Sequence, residues 1–373
     1  MEMELQQVKR ALQKFENKSA EIHNIIADKN DINSISQDLP KSGEKYLDIP
    51  RMRLSDNEKM DNFVVNGKLV STSGIPVKVI LLVGSTARSG TSFIAELLSQ
   101  QNDTLYLFEP THFIKYMTGQ KVQEQHGISH TLDMIHCRIT DLFLTWLKGR
   151  GSAMGHFRHP SLTQYAKLSN WKYYLSIPLL THLCQSSHVR VIKVIRLRMS
   201  WLRRLLDDPL LNVKIIHLAR DPRASLYSMS KNGLEKADPF YYCPRILEDL
   251  QYTPFLMKRY PGRVMTMGYE KFCINSRGEA QNIWRFLTGN DSADIPQAWS
   301  RYLALHTIEQ GAKTGTFSTF RNTLREYSEW RKEITEYNLL QIERCCQYSI
   351  RLLGLNLFGS IKNARDMSKP LLR

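Results

Sequence analysis

The chain contains 373 residues, with a formal net charge of +15 and a pI near 9.5. Its hydrophobic fraction of 42% and charged fraction of 23% are ordinary for a globular protein with a full core. Length is compatible with two domains or with one large α/β domain that carries extensions. The positive charge favours an anionic partner: a nucleotide, a sulfated or sialylated glycan, nucleic acid or a membrane surface. Nucleic acid is disfavoured, because no zinc-finger spacing or basic module with interleaved aromatic residues accompanies the charge.

Cysteine spacing and hydropathy argue against two further classes. The six cysteines form no CxxC pair, so we expect no metal site. Their even number permits disulfides, but the sequence does not determine which cysteines pair. Cys345 and Cys346 are adjacent and so rarely bond each other, which leaves one of them available to a distant partner. No apolar run approaches the roughly 18 residues of a membrane span, and the first residues do not resemble a signal peptide. We therefore expect no membrane anchor in the chain as written.

A stripe of apolar residues marks the polar N-terminal segment, residues 1–40. Its members repeat at spacings of three and four over about three heptads; they are Leu5, Val8, Leu12, Phe15, Ile22 and Ile26. The pattern predicts a helical stem that forms a short coiled coil and joins copies of the chain into a homo-oligomer. The alternative is a single amphipathic helix, because so short a coiled coil is marginal in water. Residues 41–76, punctuated by proline and glycine, are predicted to be a linker.

Residues 77–100 combine a buried strand, a short polar loop and a helix. The apolar run 77–83 is typical of a strand buried on both faces of a parallel sheet. The loop 84–90 follows, and residues 92–98 then show helical spacing. Here the N–H groups of the loop and of the first helical turn converge, and the helix dipole favours an anion. One arginine and three hydroxyl groups join them: Arg88, Ser89, Thr91 and Ser92.

This loop is similar to a Walker A phosphate-binding loop but does not match it. That motif places a lysine directly after its last glycine, whereas Gly90 is followed by Thr91, and the cation Arg88 comes two positions before it. The missing lysine disfavours a phosphotransferase that uses a magnesium nucleotide. An arginine fork suits a phosphate that is bound without a metal. The plainer alternative is an ordinary strand–helix turn with a solvated arginine.

A second predicted strand, 104–108, ends at Glu109 and Pro110. A carboxylate at the carboxyl end of a parallel strand points into the ligand crevice of an open α/β sheet, unless it is simply solvated. Residues 111–188 follow as a mostly helical insertion rich in histidine and aromatic residues. We expect most of these aromatic residues to be core, with a lid or acceptor region as the competing hypothesis.

A second strand–helix corner with a cation follows the predicted strand 213–219. Asp221 suits the N-cap of the next helix and Pro222 suits its first turn, while Arg220 lies at the mouth of the corner. Two anion sites on one sheet indicate a ligand with two separated phosphates.

Five predicted strands, at 77–83, 104–108, 189–196, 213–219 and 263–270, alternate with helical patterns. This alternation predicts a P-loop-like three-layer α/β fold, with a central parallel sheet of about five strands between helices. With its motifs in this order, the chain resembles the Golgi carbohydrate sulfotransferases that sulfate the 6-hydroxyl of galactose, N-acetylgalactosamine or N-acetylglucosamine. The strongest segments of the resemblance are 88–92, 106–110, 193–196, 213–228, Tyr269-Glu270 and Trp330-Arg331.

The resemblance implies a donor, 3′-phosphoadenosine 5′-phosphosulfate (PAPS), which leaves as 3′,5′-adenosine bisphosphate (PAP), and it implies no metal. The segment that matches the 5′-phosphosulfate loop is made of Arg88, Ser89, Gly90, Thr91 and Ser92. Arg220 and Ser228 match the pair that binds the 3′-phosphate. Arg223 and Ser225 are nearby candidates for assisting them, but the match does not require either.

Sulfuryl transfer asks mainly for in-line positioning and for charge stabilisation. The expected catalytic residues are Arg88, which neutralises charge on the leaving phosphate, and Glu109, the base implied by the resemblance. His112 is the alternative base. Lys193 and Arg196 are expected either to line the acceptor side or to form a solvated strand edge.

Domain boundaries, partners and compartment follow from the same resemblance. It assigns residues 77–356 to the sulfotransferase domain and leaves 357–373 as a C-terminal tail. The implied partners are the nucleotide donor and a glycan on a glycoprotein or proteoglycan, and the implied compartment is the Golgi lumen. The acceptor sugar stays open, because residues 111–188 match only loosely. The competing functions are a sulfotransferase for tyrosine or lipid hydroxyls, a non-catalytic glycan- or nucleotide-binding protein, and a P-loop kinase.

Overall fold

The computed structural model describes residues 63–65, 68–70, 79–101, 103–149, 153–162, 171–233, 237–307, 319 and 322–373. The predicted stem, 1–40, lies outside these residues, as does most of the predicted linker, 41–76. No helix within the described ranges is both long enough and apolar enough to span a lipid bilayer.

Six strands form one central sheet, and two others pair as a separate antiparallel hairpin. In chain order the strands are β1 (Phe63–Val65), β2 (Lys68–Val70), β3 (Val79–Gly84), β4 (Thr104–Phe108), β5 (Phe157–Arg158), β6 (Val189–Val194), β7 (Val213–Ala219) and β8 (Val264–Gly268). The hairpin is β1–β2, and the sheet has the order β5–β4–β6–β3–β7–β8. All pairs in the sheet are parallel except β4 with β5.

The parallel α/β fold predicted from the sequence is confirmed, and its five predicted strands are the five parallel ones. Strand β3 lies at the centre, with Leu82 beside Lys193 of β6 on one side and beside Ile216 of β7 on the other. The sequence missed β5, because a strand of two residues is too short to show any periodicity. It also missed the β1–β2 hairpin within the predicted linker.

Helices cover both faces of the sheet and the ends of its strands. In chain order, the α-helices within the described ranges are α1 (Thr91–Leu98), α2 (His112–Thr118), α3 (Glu124–Ile135), α4 (Asp141–Gly149), α5 (Ala153–His156), α6 (Ile177–Ser186), α7 (Arg203–Leu206), α8 (Pro222–Lys231), α9 (Pro239–Arg259), α10 (Tyr269–Ile274), α11 (Ser276–Thr288), α12 (Gln297–His306), α13 (Thr323–Glu326), α14 (Trp330–Glu333), α15 (Glu336–Leu352) and α16 (Ile361–Arg365). Short 3₁₀ helices lie at Pro160–Leu162, Trp171–Tyr174 and Met199–Leu202.

Two hydrophobic clusters sandwich the sheet, and β3 contributes to both. Ile80 and Leu82 pack with residues of α1, α11 and α12, whereas Leu81 and Val83 pack with residues of α3, α4 and α6. All four side chains are fully buried. Because successive residues of a strand point to opposite faces, a strand covered on both faces must be apolar throughout. This is why the run is continuous rather than alternating.

A third cluster joins α8, α9, α14 and α15 to the C-terminal residues 355–373. The buried guanidinium of Arg331 donates hydrogen bonds to the backbone carbonyls of Ala364, Asp366 and Lys369, at 2.6, 2.6 and 3.0 Å. The C-terminal residues are therefore packed onto the domain by a buried cation as well as by apolar contact.

Two disulfides cross-link helices within the described ranges. Cys137, which follows α3, bonds Cys184 of α6, and Cys243 of α9 bonds Cys346 of α15 across 103 residues. Of the two adjacent cysteines it is therefore Cys346 that reaches a distant partner, and Cys345 keeps a free thiol.

Candidate active site

The loop between β3 and α1 folds tightly, and two glycines permit this. A β-carbon on Gly84 would lie 2.6 Å from Ser89 Oγ, so the start of the loop touches its end. Gly90 has a φ of +89°, in the left-handed region, and a β-carbon there would lie 2.3 Å from the ring of Tyr269. Arg88 also has a positive φ, +61°, which is strained for a residue with a β-carbon and is a feature of many functional sites.

The loop presents unpaired donors at the start of α1. Ser89 and Thr91 are 1% and 2% exposed, and Ser89 Oγ has no hydrogen-bond partner among the described residues. Helix α1 begins after Gly90 without a side-chain cap, and Ser92 is half-buried in its first turn. The first N–H groups of a helix have no partner within the helix, so this corner suits an anion.

The second corner, between β7 and α8, contacts the first directly because β3 and β7 are neighbours in the sheet. Arg88 Nε donates a hydrogen bond to Ser228 Oγ at 3.1 Å. Arg220 Nη1 donates to the backbone carbonyl of Arg88 at 2.7 Å. The structure thus brings Arg88 together with Arg220 and Ser228, which lie 132 and 140 residues further along the chain.

Residues after β8 hold this arrangement in place. The Tyr269 ring lies against Gly90, and the Arg220 guanidinium stacks over it at 4.3 Å from the ring centroid. Glu270 is buried and accepts a hydrogen bond from the backbone N–H of Asp221 at 2.9 Å. Burial and the negative charge of Asp221 raise the pKa of Glu270 to about 7. Tyr269 was visible in the sequence only as part of the family resemblance, because a tyrosine after a strand carries no signal of its own.

Arg223 and Ser225, the candidates for assisting the second corner, point away from it. The Arg223 side chain is fully buried and forms ion pairs with Asp221 at 2.9 Å and with Glu343 at 2.5 Å. Ser225 is 1% exposed, and its Oγ donates to the backbone carbonyl of Asp221. The Arg223 guanidinium lies against the Trp330 and Phe358 rings of the third cluster, and Ser225 bonds back to its own helix, so both side chains support the corner rather than face it.

Glu109, at the end of β4, lies between two cations. Lys193 Nζ donates to its Oε1 at 2.5 Å, and Arg196 donates to its Oε2. Burial raises the pKa of Glu109, but the charges and hydrogen bonds of Lys193 and Arg196 outweigh burial and lower this pKa to about 2. The φ of Glu109 is +48°, a second strained residue at this edge of the sheet. The carboxylate is therefore ionised at physiological pH, and both of its oxygens are engaged.

His112 lies one helical turn beyond, within a cluster of rings. Its ring centroid is 6.2 Å from that of Trp146 and 6.4 Å from that of His156. Burial and the positive charge of Arg196 lower the pKa of His112 to about 4. His112 is therefore neutral at physiological pH and able to accept a proton.

A buried histidine that the sequence did not single out supports the first corner. Thr253 Oγ1 donates to the backbone carbonyl of Asp249, so it accepts from His217 Nδ1 at 2.9 Å. The other ring nitrogen, Nε2, is hydrogen-bonded to the Ser85 hydroxyl at 3.0 Å. Burial and the charge of Arg198 lower the pKa of His217 to about 4, which keeps the ring neutral. The sequence signal that could have singled out His217 was a polar residue within a largely apolar strand.

Beside these residues lies a cavity of about 480 Å³ that is lined from the carboxyl ends of β3 and β6 and from the start of α9. Its lining residues are Ser85, Lys115, Lys121, Val122, Ile195, Arg196, Asp238, Tyr241, Tyr242 and Arg245. Arg196 thus lines the cavity as well as contacting Glu109, whereas Lys193 is buried beneath the carboxylate and is absent from the lining.

Comparison with known proteins relates the chain to one protein family. The sulfotransferase domain family matches residues 79–354. Carbohydrate sulfotransferase 6 of Homo sapiens is 26% identical over 349 residues, which cover 81% of this chain and 87% of that protein. Carbohydrate sulfotransferase 3 of Homo sapiens is 24% identical over 346 residues, covering 80% of this chain and 71% of that protein. A solved mouse sulfotransferase complexed with PAP is 10% identical, covers 74% of this chain and 88% of that one, and has a TM-score of 0.36.

The contacts of Glu109 predict a pH-dependent contribution to stability. Its pKa is lower in the folded protein than in the unfolded chain, so the contribution is present above about pH 4.5 and lost as the pH falls towards 2. At pH 7, Glu109→Gln should lower the free energy of unfolding by about 3 kcal/mol, because it removes the carboxylate that pairs with the buried Lys193 and also contacts Arg196. Urea denaturation at several pH values measures this. The control, Glu124→Gln, breaks an exposed ion pair with Arg204 and should cost less than about 1 kcal/mol. Equal effects of the two variants would contradict the buried cluster.

Proposed function

Because the chain belongs to the sulfotransferase domain family, we propose that it transfers the sulfuryl group of PAPS to a hydroxyl group of a glycan. The observation that carries the proposal is the contact between the two strand–helix corners, in which Arg88 bonds Ser228 and Arg220 bonds the backbone of Arg88. Such a pair of corners suits a ligand with phosphates at two positions. The finer proposal, from the sequence motifs, is transfer to the 6-hydroxyl of galactose, N-acetylglucosamine or N-acetylgalactosamine.

The first corner would hold the 5′-phosphosulfate of the donor. The N–H groups at the start of α1 and the hydroxyls of Ser89, Thr91 and Ser92 supply hydrogen-bond donors, and Arg88 supplies the cation. The buried Ser89 hydroxyl supports the fit, because it has no partner among the described residues and a buried polar atom is normally hydrogen-bonded.

The second corner would hold the 3′-phosphate, with Arg220 and Ser228 as its ligands. The guanidinium of Arg220 is oriented by the Tyr269 ring and by the Arg88 carbonyl, so little rotamer freedom would be lost on binding. Ser228 is also the hydrogen-bond acceptor of Arg88 Nε, and therefore one hydroxyl links the two corners.

In the transfer step, Arg88 would neutralise the charge that grows on the leaving 5′-phosphate as its bond to sulfur breaks. The two cations Lys193 and Arg196 outnumber the one carboxylate of Glu109, so this cluster carries a net positive charge. The positive charge favours anionic sulfuryl oxygens close to it. The proton of the attacking hydroxyl would pass to Glu109 or to His112. With a pKa of about 2, Glu109 is a weak base, but a loose transition state asks little of one.

Two further proposals concern where and with what the protein works. The disulfides Cys137–Cys184 and Cys243–Cys346 support an oxidising compartment, and we infer the Golgi lumen from the motifs of the sequence. Joining of copies through the stem, 1–40, stays a prediction.

Assays with labelled PAPS against glycans, tyrosine peptides and sterols test the function, and mass spectrometry locates the sulfate. We expect transfer to glycans, at a 6-hydroxyl. Transfer to peptides or sterols alone would replace the proposed acceptor. PAP binding without any transfer would instead indicate a binding protein that lacks catalysis.

We expect Arg88→Ala and Arg220→Ala each to weaken PAP binding by about 2–4 kcal/mol, because each change leaves a phosphate without its cationic partner. Isothermal titration calorimetry measures the affinity. Arg220→Lys keeps the charge but loses the planar fork, so its affinity should fall between the wild type and the alanine variant. Lys258→Ala removes an exposed cation at the far end of α9 and should change nothing. Unchanged affinity in both alanine variants would refute the donor site.

Glu109→Gln and His112→Asn separate the two candidate bases. If Glu109 takes the proton, its variant should lose about 100-fold or more in turnover while PAP affinity stays within about twofold of the wild type. Retained PAP affinity also shows that the variant is folded, which matters because the change removes the carboxylate partner of the buried Lys193. Full turnover in Glu109→Gln, together with a large loss in His112→Asn, would move the role to His112.

A further inference from the structure

The cavity beside Glu109 is strongly cationic. Its lining includes the cations Lys115, Lys121, Arg196 and Arg245, against one carboxylate, Asp238. That carboxylate is already engaged, because Asp238 caps the N-terminus of α9 and accepts the N–H of Phe240 at 3.0 Å. The walls of the cavity therefore present a net positive charge to whatever enters it.

Two of these cations share one aromatic ring. Lys121 Nζ lies 3.5 Å from the centroid of the Tyr241 ring, and the Arg245 guanidinium lies 5.0 Å from the same centroid. No carboxylate within the described part of the chain lies at ion-pair distance from Lys121 or Arg245. The ring attracts each cation, but the two repel each other. An anion placed between them would relieve this repulsion.

The cavity lies on the acceptor side of the site. Arg196 lines the cavity and also contacts Glu109, and Ser85 lines it from the loop that also carries Arg88. Neither Arg220 nor Ser228 lines it, so it is separate from the proposed 3′-phosphate ligands. Its volume of about 480 Å³ is in the usual range for a small-ligand site.

We propose that this cavity binds an anionic group of the acceptor glycan, and that the enzyme therefore selects glycans that already carry negative charge. Lys121 and Arg245, which both lie against the Tyr241 ring, are the specificity residues. The inference rests on the proposed glycan sulfotransferase function and adds the charge class of its substrate. The anionic group is either the carboxylate of a uronate or a sulfate ester from an earlier transfer, since both present oxygens that an arginine or lysine can bind.

Three oligosaccharides of equal length test the proposal: neutral N-acetyllactosamine, a version in which uronate replaces alternate sugars, and a sulfated form of the neutral one. With saturating PAPS, we expect kcat/KM at low salt to be about tenfold higher or more for at least one anionic acceptor than for the neutral acceptor. The better anionic acceptor identifies the source of the charge. The advantage should shrink as salt is raised, because partly exposed charges are screened.

Charge variants then assign the selectivity to the cavity. Lys121→Gln with Arg245→Gln should lower the anionic-to-neutral ratio of kcat/KM about tenfold, and Arg245→Glu should lower it further by placing a carboxylate at the same point. Lys258→Gln is the matched control, since it removes a cation from the same helix, α9, about 20 Å along its axis from Arg245. The control should keep the ratio unchanged.

The outcomes distinguish this inference from the function on which it rests. Equal kcat/KM for neutral and anionic acceptors, or a ratio that the cavity variants leave unchanged, would overturn the inference while the sulfotransferase function stands. Failure of all three glycans as acceptors would overturn the proposed function and the inference together.

Discussion

Hydrogen bonds between two strand–helix corners organise this site. Arg220 donates to the backbone of Arg88, and Arg88 donates to Ser228, so the loop before α1 and the start of α8 form one surface. The contact is possible because β3 and β7 are adjacent parallel strands, whose carboxyl ends emerge side by side. The tight path of the loop, with Gly90 in the left-handed region beneath Tyr269, brings Arg88 into reach. A looser loop would separate the corners and leave two unrelated anion sites.

Pairing with buried carboxylates distinguishes two cations that support the fold from Arg245, which lines the cavity. Arg223 is enclosed by Asp221 and Glu343, and Lys193 is enclosed by Glu109. Burying an unpaired charge is costly, so each of these cations requires a carboxylate beside it. Arg245, in contrast, is half-buried against an aromatic ring and lines an open cavity. Arg223 and Lys193 therefore support the fold, whereas Arg245 lines the cavity.

Strand β3 divides the site into two halves. The β7 side carries the corner with Arg220 and Ser228, and the β6 side carries Arg196, which also lines the cationic cavity. A donor held on one side and an acceptor held on the other would meet above the carboxyl end of β3. That geometry suits an in-line displacement, in which positioning supplies much of the rate. The neutral His217, buried beneath Ser85, braces the point where the two halves join.

Local patterns along the chain were enough to predict the parallel sheet and the two cationic corners. Strands covered on both faces must be apolar throughout, and the caps at Gly90 and Asp221 are set by the residues next to them. Local patterns could not predict that Arg223 turns inward, that Glu109 is held by Lys193 and Arg196, or that Lys121 and Arg245 share the Tyr241 ring. Each of these contacts joins residues on separate elements, and a charge in a sequence does not reveal which distant partner will neutralise it. The fold supplies those partners, and with them it determines which charged side chains are enclosed and which line the cavity.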